Sequence, residues 1–315
     1  MQFFSGVQQI GIGVEDASKA YDWYKNKFHF SLKFFDDVAT ASLMTDYTGN
    51  KAEKRRAILA LKKAGGGGLE IWQFKDRKPV AQPIITPQSL GILGAICGDL
   101  PRTEISADVL WTGSLGVKDP FGNVFVAGSD IPGGKAGIRG AVIAVSDLKV
   151  SESFYCDLLG FKKFREEEHL WDGIPCQVNS YVLEGKPALF SGLLGSMELK
   201  LVAVEIDAKK HHFENRYWGD QGFIHLCFEC PGMDKFADRA NDSGYGLKVD
   251  SAESFGMSDA AGRFGYIEDP DGTLIELVET HKIPVSKKLG LSLDLNKYKS
   301  KPIPAWILKA IVNFA

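Results

Sequence analysis

Glu276 stands in the middle of Thr273-Leu274-Ile275-Glu276-Leu277-Val278, a stretch that otherwise reads as a buried β-strand. An unpaired buried carboxylate is costly, so such a group is paired with a cation or bound to a metal. Asp-Pro-Asp-Gly at 269–272 is a strong turn signal, so the glutamate lies a few residues into a strand with a defined entry. Side chains alternate faces along a strand. His225, Cys227 and Glu229 therefore share one face of 225–230, opposite Leu226, Phe228 and Cys230. In 196–204, Glu198 and Lys200 stand opposite Met197, Leu199, Leu201 and Ala203. Glu276, His225 and Glu198 each oppose an apolar face, which suits a polar cleft and suits open solvent equally well. The spacing Cys227-x-x-Cys230 sends its two thiols to opposite faces, which argues against a shared metal or redox role.

The elements that would carry these residues come as a repeat. "IGIGVEDASKAYDWYKNKFHFSLKFF", from Ile10, matches "AVIAVSDLKVSESFYCDLLGFKKF", from Ala141. Val14 aligns with Val145, Asp16 with Asp147, Tyr24 with Tyr155 and Phe30 with Phe161. Each copy reads as an apolar strand, an Asp at a helix N-cap, a helix with aromatics on one face, and a second strand. The halves also end alike, "GVKDPFGNVFVAGS" (116–129) against "YIEDPDGTLIELVE" (266–279). Two further strand starts, at Leu93 and His225, complete four β-α-β-β-β modules over 5–76, 88–130, 138–206 and 221–280. Module 2 is degenerate: it is too short between its first strand and its Asp-Pro to keep most of a helix. "GGGG" at 65–68 reads as a hairpin or bulge, because no helix follows it.

Composition sets the outer bounds. The chain has 315 residues, 44% hydrophobic and 24% charged, an ordinary globular mixture with length for about two domains. A net charge of -3 argues against nucleic acid as the main partner. No apolar run reaches the ~18 residues of a transmembrane segment. Five cysteines make no disulfide framework, and the N-terminus does not read as a secretion signal, so a cytoplasmic location is expected. The last stretch, 281–315, is basic and carries "PIPAWILKAIVNF", which reads as a short amphipathic helix packed on its own chain or on a second subunit, with a weak membrane-surface contact as the alternative; a homodimer is compatible with the first.

The motifs "IGIGVEDASKAYDWY", "IHLCFECPGMDKFADRANDSGY" and "YIEDPDGTLIELVE" resemble the vicinal oxygen chelate superfamily, the glyoxalase/bleomycin resistance/dioxygenase fold, over roughly 5–280. The resemblance implies an α+β fold of four βαβββ modules paired into two glyoxalase-like open barrels. Its expected division is an N-terminal domain over 1–130 with a degenerate site, a C-terminal domain over 138–280 with the metal site, and an extension over 281–315. A divalent metal ion (Zn, Mn, Ni, Co or Fe) is implied, held by first and last strands of modules. Carried over by position, the ligands are Glu198, His225 and Glu276, with Glu276 and Glu198 also catalytic. Gly140, or a neighbour, stands where a fourth ligand is expected. The N-terminal positions read Gln9, Glu70, Leu93 and Val126, a degenerate site because the last two cannot bind a metal. Lys200, Cys227, Arg263 and Tyr266 are expected at the substrate pocket. The activity implied is that of a lyase or isomerase, glyoxalase I-like or epimerase-like, stabilising an enediolate-type intermediate on a small molecule. A metal-free binding protein of the bleomycin-resistance type is the alternative. An extradiol dioxygenase ranks lower, since "SFGMSDAAGRFGYIEDP" lacks the histidine that branch places before its turn.

Overall fold

A computed structural model describes residues 2–206, 209–211, 213–252, 255–257, 260–286, 291–295, 298 and 301–308. Module 1 comprises β1 (Gly6–Gly13), α1 (Ala17–Phe28), β2 (Leu32–Thr40), β3 (Lys54–Leu61) and β4 (Gly68–Phe74). Module 2 comprises β5 (Gly91–Cys97), β6 (Ser106–Ala107), β7 (Leu115–Lys118) and β8 (Val124–Ala127), with one 3-10 turn at Arg102–Glu104 where the helix would be. In module 3, β9 (Ile138–Ala144) leads into α2 (Leu148–Glu152), which runs on as a π-helical turn through Leu158. β10 (Lys162–Trp171), β11 (Ile174–Leu183), the short α3 (Ser191–Leu194) and β12 (Met197–Val204) follow. Module 4 has β13 (Gly222–Glu229), α4 (Met233–Asp242), β14 (Val249–Asp250), β15 (Phe255–Met257), β16 (Ala260–Glu268) and β17 (Leu274–Ser286), and β18 (Leu291–Asp294) lies beyond it.

The two long-matching segments fold alike for local reasons. Asp16 accepts hydrogen bonds from the backbone of Ser18 and Lys19, and Asp147 accepts from that of Val150, so both aspartates satisfy free N–H groups of a helix start. α1 buries Ala17, Ala20, Tyr21, Tyr24 and Phe28 on one stripe.

The strands form two curled sheets. The first runs β14-β16-β17-β13-β1-β4-β3-β2, with β15 on β16 and β18 on β17. The second runs β10-β11-β12-β9-β5-β8-β7-β6. This order corrects the pairing expected from the repeat. Modules do not pair within each half: β1 joins β13, so module 1 completes module 4, and β5 joins β9, so module 2 completes module 3. The repeat reveals that modules are alike but not which edges meet, because all four first strands are similarly apolar.

Contacts behind the sheets follow the other pattern. The Tyr24 hydroxyl donates to Asp119 in the module 2 turn, and the Tyr155 hydroxyl donates to Asp269 in the module 4 turn at 2.9 Å. Sheets thus link modules 1 with 4 and 2 with 3, while helix-to-turn hydrogen bonds link 1 with 2 and 3 with 4. The main core lies on this side and gathers Ile10, Tyr24, Phe125, Ile143, Tyr155 and Phe228, among others. Among the described residues, no helix is long and apolar enough to cross a membrane.

Candidate metal centre

The inner face of the first sheet brings four polar side chains together from four strands: Gln9 (β1), Glu70 (β4), His225 (β13) and Glu276 (β17). All are buried, His225 completely. His225 Nε2 lies 3.1 Å from Glu276 Oε2 and 3.4 Å from Glu70 Oε2. Gln9 Nε2 donates to Glu276 Oε2 at 3.3 Å. Tyr266, from β16, donates its hydroxyl to Glu276 Oε1 at 2.9 Å and lies 3.2 Å from His225 Nδ1.

Register explains the convergence. Gly11 of β1 is paired on one side with Glu70 and on the other with His225. Lacking a side chain, Gly11 leaves the gap across which the two residues meet: a Cβ there would lie 2.8 Å from His225 Nε2. One row along, Cys227 pairs with Gln9 and with Glu276.

One ligand atom each from Glu70, His225 and Glu276 lies within 4.8 Å of the others, the spacing of a metal-binding group. His225 Nε2 and Glu70 Oε2 are buried, and neither has an aligned hydrogen-bond partner among the described residues. Buried polar atoms are ordinarily hydrogen-bonded, so two atoms that meet only at ion-pair distance fit a site built for a third species beside them. Imidazole with carboxylates is a donor set for a borderline or hard divalent ion. Tyr266 beside Nδ1 supplies the outer-sphere contact that orients a ligand histidine.

Electrostatics tie the group together. Burial works to lower the His225 pKa, but the carboxylates of Glu276 and Glu70 outweigh it and hold the value above the ordinary range. Burial raises the Glu276 pKa, opposed by the charge of His225 and reinforced by that of Glu70. The Cys227 thiol is pushed well up by burial, then by Glu276 next to it.

The sequence-derived candidates separate here. His225 and Glu276 meet each other, with Tyr266 and Cys227 beside them. Glu198 is in the second sheet, where it accepts from Ser129 N at 2.9 Å and Ser129 Oγ at 2.6 Å and faces Lys200 Nζ at 3.5 Å. The shift is one of register. Gly11 pairs with Glu70, and its counterpart Val142 pairs with Lys200, so the Glu70 position is Lys200 and Glu198 falls two residues early. Arg263 bridges Asp234 and Asp250 on the outer part of β16. Gln9 and Glu70, expected as a remnant of a separate site, stand in the same group as His225 and Glu276. The available signal was that each outer module keeps two polar ligand positions, so that only modules 1 and 4 together make a set.

A cavity of about 150 Å³ opens beside the group. Gln8, Gln9, Glu70, Glu276 and Thr280 form its polar side, and Phe35, Leu59, Leu61, Leu194 and Val278 are among its apolar walls.

Residues 137–277 match the profile of the Glyoxalase/Bleomycin resistance protein/Dioxygenase superfamily. Among solved structures, glyoxalase I from Zea mays is similar with a TM-score of 0.53 and 14% identity, covering 87% of this chain and 92% of that one. A candidate dioxygenase from Bacillus subtilis gives a TM-score of 0.57 at 11% identity, covering 89% of this chain and 86% of that one. At these identities the likeness is one of fold. No curated protein matches the chain.

Proposed function

From the match of residues 137–277 to the Glyoxalase/Bleomycin resistance protein/Dioxygenase superfamily, we propose that the chain is a metal-dependent lyase or isomerase acting on a small molecule with two adjacent oxygens. The observation that carries this reading is the convergence of Glu70, His225 and Glu276 around two buried atoms without aligned partners. Glu70, His225 and Glu276 would hold the ion, with Gln9 beside them. A divalent ion there would supply Lewis-acid stabilisation of oxyanion charge on the substrate, as an enediolate-type intermediate requires.

The protein's own groups do the rest. Glu276 and Glu70 flank the place where a substrate would bind, and either carboxylate can take a proton from a carbon beside a carbonyl and return it. Tyr266 holds Oε1 of Glu276, and Oε2 lies between Gln9 Nε2 and His225 Nε2. The apolar walls exclude water, which would otherwise compete for a carbanionic intermediate. Glu198 takes a structural role in this reading.

The test is metal content by elemental analysis of the wild type and His225→Ala, each loaded with Mn, Zn, Ni, Co or Fe. About one ion per chain in the wild type, with affinity lowered on the order of 100-fold or more in the variant, is expected. Solvent deuterium incorporation into a chelating keto acid by the loaded wild type would then report proton transfer. No ion in either protein overturns the reading and favours a metal-free binding cup. That second reading has one observation of its own: His225 can sit between Glu70 and Glu276 as a charged imidazolium.

A further inference from the structure

We infer that the C-terminal extension is a built-in stop that sets how large an apolar group the first cup accepts, an inference that rests on the reading of that cup as the ligand site. The profile match ends at residue 277, yet the cavity wall does not. Ile283 and Leu308 both line the cavity that reaches Glu70 and Glu276. Side chains from beyond the repeat therefore face the same space as the polar group.

The described residues of the extension are anchored to the rest of the chain. β17 runs past the repeat to Ser286, and Ile283 pairs with Leu293 of β18. The chain then returns to the loop before α3, where Leu189 N donates to the Lys301 carbonyl at 3.1 Å and Ile303 N donates to the Leu189 carbonyl at 2.9 Å. Residues 305–308 begin a helix, and the rest of the helix expected from sequence lies outside the described residues. Ile283, Leu295, Ile303 and Leu308 share one buried cluster with Phe190 and Leu194. An end wall made by such a cluster is rigid enough to exclude by size, because packed interiors yield little to added volume.

Cavity size and lining define the ligand class. The cavity is lined mostly by apolar side chains, and its volume of about 150 Å³ suits a group the size of benzene against them. The substrate therefore carries a single ring, or a branched alkyl group of similar bulk, next to its two oxygens. A fused bicyclic group would press against walls that include Leu308 and Ile283.

Toluene and naphthalene are the probes, titrated into the full-length, chelator-treated protein with ligand-observed NMR as the readout. The wild type is expected to bind toluene saturably and naphthalene at least about tenfold more weakly. Leu308→Ala should tighten naphthalene by about tenfold. Leu308→Phe keeps the end wall apolar and should lose toluene by a similar factor, which decides the matter if the alanine variant does not fold. Equal binding of both probes by the wild type, no toluene binding, or unchanged affinities in the variants overturns the inference. No metal is present in this test, so failure of the metal reading registers only in the elemental analysis.

Discussion

The two sheets are built from the same repeat, yet their inner faces have opposite chemistry. Across the first, the row is Glu70, Gly11, His225; across the second it is Lys200, Val142, Gly94. The next row is Gln9, Cys227, Glu276 in the first and Gly140, Ile96, Val126 in the second. Four polar ends converge in one sheet, and apolar or absent side chains hold the matching places in the other, Lys200 excepted. The central residue matters as much as the ligands. Gly11 leaves a gap that His225 and Glu70 enter, whereas Val142 fills its counterpart and joins a buried cluster with Leu93, Ile96, Val126 and Val202. Nor could a side chain be restored at Gly140, where a Cβ would lie 1.7 Å from the Glu198 carbonyl oxygen. One sheet keeps a polar group where its twin packs Val142, Ile96 and Val126 into an apolar cluster.

The largest effect expected from this comparison comes from forcing the second cup to imitate the first. Val126→Glu puts a carboxylate at the Glu276 position, against Gly94 and the apolar cluster. Without a histidine to meet it, the buried charge should cost about 3–5 kcal/mol in urea unfolding. A loss below about 1 kcal/mol would mean that the second cup is wetter than its packing implies.

The first cup should instead show its buried acids through pH. Glu229, the last residue of β13, accepts from Gln8 at 2.6 Å and from Thr280 Oγ1 at 2.7 Å, yet burial raises its pKa from 4.5 to about 7. The folded state therefore favours the protonated acid. Its contribution is complete below 4.5 and is lost as pH rises through about 7. A shift of that size corresponds to about 3 kcal/mol. Wild-type stability should fall by up to about 3 kcal/mol from acid to mildly alkaline pH relative to Glu229→Gln. Parallel pH profiles for the two proteins would remove Glu229 as the cause.

Much of this architecture was legible in the sequence because strand periodicity and helix caps are local. The repeat, the Asp16 and Asp147 caps, the shortened module 2 and the face shared by His225 and Cys227 all follow from residues close together in the chain. Two features were not legible. Which modules pair depends on edges that meet over more than 200 residues, as Gln9 of β1 and Cys227 of β13 do. Choosing Glu198 over Lys200 as the counterpart of Glu70 depends on a two-residue register that keeps the same face of the strand, so alternation cannot discriminate. Only the pairing partner, Gly11 in one sheet and Val142 in the other, resolves it.

A smaller effect is expected at Tyr266, the contact that orients the polar group from outside. Tyr266→Phe removes the donor to Glu276 Oε1 and the neighbour of His225 Nδ1 while keeping the ring. Metal affinity should fall by about tenfold, the size usual for a second-sphere partner. Titration of the apo-protein with Mn or Zn, followed calorimetrically, measures this. An unchanged affinity would assign Tyr266 to packing alone.

Glu198→Gln should have the smallest effect, and it separates the two sheets most sharply. Glu198 has the residue type and the facing of a ligand but stands two residues before the Glu70 position, and its oxygens are taken by Ser129 N and Ser129 Oγ. Replacing one oxygen by an NH2 group sets a donor against these donors and should cost about 1 kcal/mol of stability. Metal stoichiometry and affinity should not move, because the change lies in the sheet without the ligand row. A loss of bound metal in Glu198→Gln, with the fold intact by circular dichroism, would place the ion in the second cup. It would also make the Glu70–His225–Glu276 group an ion-paired remnant. Retained metal in this variant with loss in His225→Ala would assign the chemistry to the sheet that joins the first module to the last.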